Sequence, residues 1–558
     1  MVDAATICVL HFRPPGQKRS VWRLAALNIR LHDYLLTRDH TLLGGVLSGI
    51  NGTLIELQGR ALSVLPRPRP VVNVCSITGM TRGPVREALQ RIQGAFSKLR
   101  IPDSPVEILI NLAPAAIEKD GTWLDLPLAV MMLQVAGILP DLPRAKEQQF
   151  VLFGEIGIHG EIRRIPGALS MAFLLRPGQK LIVPKGNEKE CALILAKPGH
   201  EGCGVFPAET LDEVLDYFRG TGTLSNALSQ PIQFSNYIEK APDFGKIRGQ
   251  KQAKRAAIIS AAGGHNLLLV GPPGEGKSLL ASAMAGVLPR LSDSEKVELT
   301  RIYSAMGLLS DDGMAVTRRP FRSVHHSASM QSLVGGGSGV PKPGEVTLAH
   351  LGILFLDEVP EFSKNTLEAL RQPLENGFVN ITRVAASLEF PARFSLVAAM
   401  NPCPCGYSGD ARCHCEQKVI EKYQKRLSGP FLDRMDLQVL MKPLTHEERF
   451  AEVTDGESPR VRQLVENARN KQIARFRGKE FACNSAIPGG QITEFCRMSD
   501  DGTNAYRETV ARAAVSTRTC DRLAKVARTI ADLDNEDLIH SRHVDEAATF
   551  VAAGVLQR

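Results

Sequence analysis

Two short apolar runs, Leu267–Val270 and Ile353–Leu356, and a third over residues 394–400, contain almost no polar positions. Runs of this length without alternation predict parallel strands covered on both faces. Leu279, Leu280, Ala283, Met284, Val287 and Leu288 follow the first run at spacings that share one helical face. Upstream, residues 71–77, 106–112, 150–153 and 180–183 predict strands. Residues 85–99 predict an amphipathic helix, 126–139 a mostly buried one and 210–218 a short one. Residues 379–393 read as a β-hairpin, and from about residue 445 the pattern turns helical, most clearly over 521–533 and 545–550. Alternating strands and helices predict an α/β fold. The pattern divides the chain into an unassigned basic extension (1–40), an α/β domain (41–220), a linker (221–242), a larger α/β domain (243–445) and a helical domain (446–558).

Composition narrows this picture. A chain of 558 residues exceeds what one core holds. Apolar residues at 44% and charged residues at 23% describe a globular protein. A net charge of +8 is compatible with nucleic acid but is spread over a long chain. Two Trp and seven Tyr leave no aromatic stacking platform. Eleven Cys, an odd count without a secretory signal, point to a reducing, cytoplasmic setting. The longest apolar run, 126–139, is too short to span a membrane. Arg13, Lys18, Arg19, Arg23 and Arg30 make the start basic, but without an apolar core or cleavage site it reads as an extension, not a targeting segment.

The chemistry centres on Gly271, Pro272, Pro273, Gly274, Glu275, Gly276, Lys277 and Ser278, a G-x-x-x-x-G-K-S loop between a predicted strand and helix. Glycines let backbone N–H groups approach phosphates, and the helix N-terminus favours negative charge. Lys277 is expected to reach the β- and γ-phosphates of ATP, and Ser278 to hold Mg²⁺. Asp357 and Glu358 end the second apolar run, at the strand edge where ligands bind in open α/β sheets. Asp357 would share the Mg²⁺, and Glu358 would polarise the attacking water. Cys403, Cys405, Cys413 and Cys415 lie close enough for a tetrahedral Zn²⁺ site, with free or redox-active thiols as the alternative and His414 as a less favoured ligand. The adjacent His325 and His326 read as packing or a subunit contact.

The whole set resembles the ComM/YifB family of magnesium-chelatase-like AAA+ ATPases. The stretch Asn111-Leu-Ala-Pro114, residues 119–129 and residues 154–168 resemble that family's Lon-protease-like domain. The resemblance implies an AAA+ P-loop core with a helical lid, preceded by a Lon-protease-like α+β domain; residues 1–40 have no counterpart in it. A Ser–Lys protease dyad is absent: aligned on Lon, Trp123 holds the serine position and Leu169 the lysine position, with Thr122 one place off. By resemblance, the Gly249-Gln250 turn borders the adenine and Asn401 senses the γ-phosphate; an Asn capping a loop is the other reading. Arg434 is implied as a finger reaching a neighbouring subunit, with Arg426 as a rival and an ion pair to Asp433 or Asp436 as the alternative. Arg528 is implied as a second sensor from the lid, against a solvated helix arginine. Insertions containing Lys342 and Arg383 are implied to face a ring pore and contact DNA, against plain solvated loop charge. The function implied is a ring motor, a hexamer by resemblance, acting on single-stranded or branched DNA in branch migration. A chelatase-like motor on a protein partner and a Lon-like protease are the alternatives.

Overall fold

A computed structural model describes residues 35–551 apart from 80–82, 120, 141–149, 230–240, 310–314, 338–340, 383–386, 451, 453–454 and 514–515. Arg383 and most of the basic extension therefore lie outside the described residues.

The apolar runs become strands of one five-stranded sheet, in the order Phe321–Val324, Ile353–Leu356, Ser395–Met400, Leu267–Val270, Leu437–Leu440. Every pairing in it is parallel. All residues of Leu267–Val270 and Ile353–Leu356 are buried, as strands covered on both faces require. Each such side chain contributes about 1.5–3 kcal/mol by leaving water. The order has two consequences for chemistry. Later strands lie on both sides of Leu267–Val270, so its C-terminal end is a switch point where ligands bind. Ser395–Met400 lies between that strand and the acid-bearing one, so the residue after Met400 arrives between phosphate loop and carboxylates.

The helices Glu457–Arg475, Thr517–Leu533 and Ser541–Val551 follow, as the pattern predicts. Their apolar faces share one core with Lys251–Gly263 and one face of the five-stranded sheet. The hairpin at 379–393 forms as Phe378–Thr382 paired with Ser387–Pro391.

The preceding part of the chain builds a seven-stranded mixed sheet. Its centre holds a long antiparallel hairpin, Asp39–Ser48 with Asn51–Arg69, which the apolar pattern does not mark because the outer half of the second strand is exposed. Residues 71–77 differ from the expected single strand. Asn73 N–H donates to the Pro70 carbonyl (2.9 Å), Val71–Val74 close into a 3₁₀ turn, and only Cys75–Thr78 pairs. Asp125–Val135 is buried along its whole length. This sheet docks on the helix Asp293–Ala305: Ser170 Oγ (2.7 Å) and Arg301 Nε (3.3 Å) both donate to the Ile50 carbonyl, and Gly167 N–H donates to Ser304 O (2.9 Å). Among the described residues no helix is long and apolar enough to cross a membrane.

Candidate nucleotide-binding site

The loop after Val270 turns into the helix Lys277–Met284 through Gly276, whose φ of +86° only glycine adopts without strain. Lys277 is buried. Its ammonium donates to the Gly271 and Pro272 carbonyls (2.7 and 2.8 Å) and to Asn401 Oδ1 (3.1 Å). Burial lowers its pKa, against the pull of Asp357, Glu275 and Glu358. Ser278 Oγ donates to Asp357 Oδ2 at 2.7 Å, and the Glu358 N–H donates to Asp357 Oδ1 at 3.0 Å. Glu358 itself stands at φ +50°, a left-handed conformation uncommon for a side-chain-bearing residue. Thus phosphate loop, hydroxyl, carboxylates and Asn401 converge on one sheet edge. The donor set, a hydroxyl beside a carboxylate under a lysine, fits a Mg²⁺–triphosphate.

Beside the loop, the Leu444 N–H donates to Glu275 Oε2 (3.2 Å). Gln250 Nε2 donates to Lys442 O (2.7 Å), and Arg248 to Arg449 O (2.6 Å). The Gly249-Gln250 turn is thereby pinned against residues 442–449. Gln250, like Glu358, is left-handed, at φ +50°.

His326, which the sequence offers only as packing or a subunit contact, stands at this site. Its Nδ1 lies 3.4 Å from Glu358 Oε2, and the His325 ring packs 4.1 Å away. The available signal was position: His326 follows Phe321–Val324, the strand paired with the acid-bearing one, at the same edge.

Arg434 stands elsewhere. Asn266 immediately precedes Leu267–Val270, and its Nδ2 donates to the Arg434 carbonyl (2.8 Å). Arg434 therefore lies at the N-terminal edge, with about 13 Å of strand between it and the phosphate loop at about 3.3 Å per residue. Its guanidinium pairs with Glu375, not with Asp433 or Asp436, and its buried Nε has no partner among the described residues. Arg518, a residue not anticipated, reaches the same Glu375 at 3.8 Å. Arg426 belongs to the opposite edge, donating to Glu361 Oε1 at 2.7 Å.

Arg528 departs from the expectation of a lid sensor. It is 1% exposed and donates to the carbonyls of Glu536 and Asp537 (both 2.6 Å), with Asp532 at 3.1 Å. The guanidinium closes the turn after its own helix. Lys342 is exposed in a two-residue strand paired with Gly335–Gly336. Trp123 donates from its indole to Pro166 O (2.9 Å) and packs on the cluster containing the fully buried Leu169. Lys119, the nearby amine, is buried and bonded to the Pro114 carbonyl. The four cysteine sulfurs lie within 4.8 Å of one another.

A five-stranded parallel sheet with a phosphate loop, an acidic pair and a strand interposed between them defines a P-loop ATPase of the AAA+ class. Residues 243–449 match the family described as magnesium chelatase, subunit ChlI; residues 455–550 match its C-terminal family and 69–187 match subunit ChlI of Mg-chelatase. The chain is 40% identical to YifB of Escherichia coli over 86% of its length and 91% of that protein. It is 37% identical to competence protein ComM of Haemophilus influenzae over 86% and 92%. A magnesium-chelatase 38 kDa subunit of Cereibacter sphaeroides is 27% identical over 30% of this chain and 54% of that protein. The chain belongs to the ComM/YifB family of magnesium-chelatase-like AAA+ ATPases.

Proposed function

We propose that this chain is a cytoplasmic ATP-driven ring motor, a hexamer, that moves along single-stranded or branched DNA and drives branch migration in homologous recombination or natural transformation. One observation carries the assembly: Arg434 sits at the sheet edge away from its own phosphate loop. A cation there is remote from its own nucleotide site and, once released from Glu375, would serve a nucleotide held by another copy.

In this reading Lys277 leaves the Gly271 and Pro272 carbonyls to bind the β- and γ-phosphates, and loop N–H groups cradle them. Ser278 and Asp357 would hold Mg²⁺, which when bound offsets phosphate charge. Glu358 accepts the proton of the attacking water, Asn401 orients that water, and Arg434 of the neighbour stabilises charge on the transferring phosphoryl. The Lys342 insertion faces the pore and neutralises the DNA backbone without reading bases, and Arg383 has the same role. The Lon-like domain is a scaffold: Trp123 and Leu169 fill the dyad positions with apolar packing. The four cysteines hold Zn²⁺. A relative named competence protein is in keeping with a transformation role.

ATP turnover measured with single-stranded, duplex and branched DNA tests this reading. Stimulation greatest with branched or single-stranded DNA is expected. Absence of stimulation by every form would replace DNA with a protein partner, as in a chelatase-like motor.

A further inference from the structure

The strand Ser395–Met400 delivers Asn401 to the site and then enters residues 401–416, which contain no helix or strand. Only Pro402, Cys403 and Gly406 are buried there. A loop of this kind has no apolar core to order it and needs a staple. The sulfurs provide the geometry for one. Cys403 and Cys405 lie 3.3 Å apart, Cys405 and Cys413 3.7 Å, and Cys403 and Cys413 3.9 Å. A tetrahedral ion with Zn–S bonds of about 2.3 Å sets sulfurs ~3.8 Å apart. The Ser408 N–H donates to Cys403 Sγ (3.2 Å), and the backbone of Tyr407 and His414 donates to Cys405, the outer support that thiolate ligands carry. Arg412 holds both oxygens of Asp410 (3.0 and 2.9 Å) while lying 4.3 Å over the Tyr407 ring.

This loop touches the nucleotide site directly. Gly406 stands at φ +88°, and a Cβ on it would lie 2.6 Å from Pro273 Cδ and 3.9 Å from Asn401 Cγ. Its backbone is thus wedged between the phosphate loop and Asn401. On the other side Gln424 donates to Pro402 O (3.1 Å), and the helix Gln417–Gln424 leads on to Arg434.

We propose that zinc on Cys403, Cys405, Cys413 and Cys415 keeps Asn401 and the phosphate loop in register, so that nucleotide affinity and turnover depend on the metal. The inference rests on the zinc reading given above. The full-length ring, purified without chelator, is analysed for metal. It is then stripped with a thiol-reactive mercurial and chelator, reduced, and returned to Mg²⁺ with and without Zn²⁺. The readouts are binding of a fluorescent ATP analogue and hydrogen exchange over 271–278 and 401–416. One zinc per chain is expected. Stripping should weaken nucleotide binding at least ten-fold and raise exchange in both segments, and zinc should restore both. Cys415→His, which can still ligate, should retain metal and binding, and Cys415→Ser should lose both. Gly406→Ala tests the wedge in protein that keeps its zinc and its melting temperature: nucleotide binding should fall. Protein that neither contains nor takes up zinc would end the zinc reading itself. Zinc present, with binding and 271–278 exchange unmoved by stripping and by Gly406→Ala, would overturn the coupling alone.

Discussion

The two edges of the five-stranded sheet are furnished in opposite ways. At the C-terminal edge the polar groups satisfy one another within one chain: Lys277 with Asn401, Ser278 with Asp357, His326 beside Glu358. The groups proposed to grip a nucleotide are there, and Arg426 at this edge is engaged with Glu361 (2.7 Å). At the N-terminal edge Arg434 and Arg518 share one carboxylate, Glu375, and the Arg434 Nε is buried without a partner among the described residues. That edge holds charge in reserve. In the proposed reading one chain carries two complementary halves that face apart, the finger at one edge and the phosphate loop, base and water-orienting residue at the other.

The largest effect should come from the N-terminal edge. Arg434→Ala should bind ATP normally yet lose about 10³–10⁵ in turnover, the usual worth of a finger. Mixing it with Glu358→Gln chains should recover activity, since each supplies what the other lacks. Recovery absent from mixed rings, or full turnover by a monomer, would break the division of labour. At the other edge, Glu358→Gln alone should cost about 10²–10⁴ in turnover with binding intact, as a general base does; unchanged turnover would remove Glu358 from its role. Arg528→Met belongs to neither edge. It should lower unfolding stability by about 3 kcal/mol, by breaking a buried pair, and leave ATP affinity unchanged; a binding defect at unchanged stability would restore the sensor reading. The smallest effect is expected for His326→Ala, a few-fold change in basal turnover with affinity unchanged, read in an ATPase assay without DNA.

Local chemistry was legible where backbone and side chain speak together. The glycine loop between an apolar run and a helical face, and the acids ending another run, announce a strand edge. The third run places Asn401 at the same edge, while a sensing role for it comes from the resemblance alone. Contacts distant in sequence were not legible. Glu375 gives no sign that it will meet Arg434 and Arg518, and His326 approaches Glu358 only because two strands pair. For Arg528 the resemblance offered a lid sensor and the helical pattern a solvated arginine; its burial depends on carbonyls in a turn that neither describes. The 39–69 hairpin escaped because its exposed half carries no apolar alternation.

Asn266 bonds to three parts of the floor of this sheet. Its amide carbonyl receives the Leu396 N–H (2.8 Å), its amide nitrogen holds the Arg434 carbonyl (2.8 Å), and its backbone N–H donates to Asp436 (3.0 Å). In the proposed motor, a tilt of Leu267–Val270 as cargo settles on its C-terminal end would drag this anchor. The arm proposed to reach the next copy is tethered to the same point, which would give news of occupancy a mechanical route around the proposed ring.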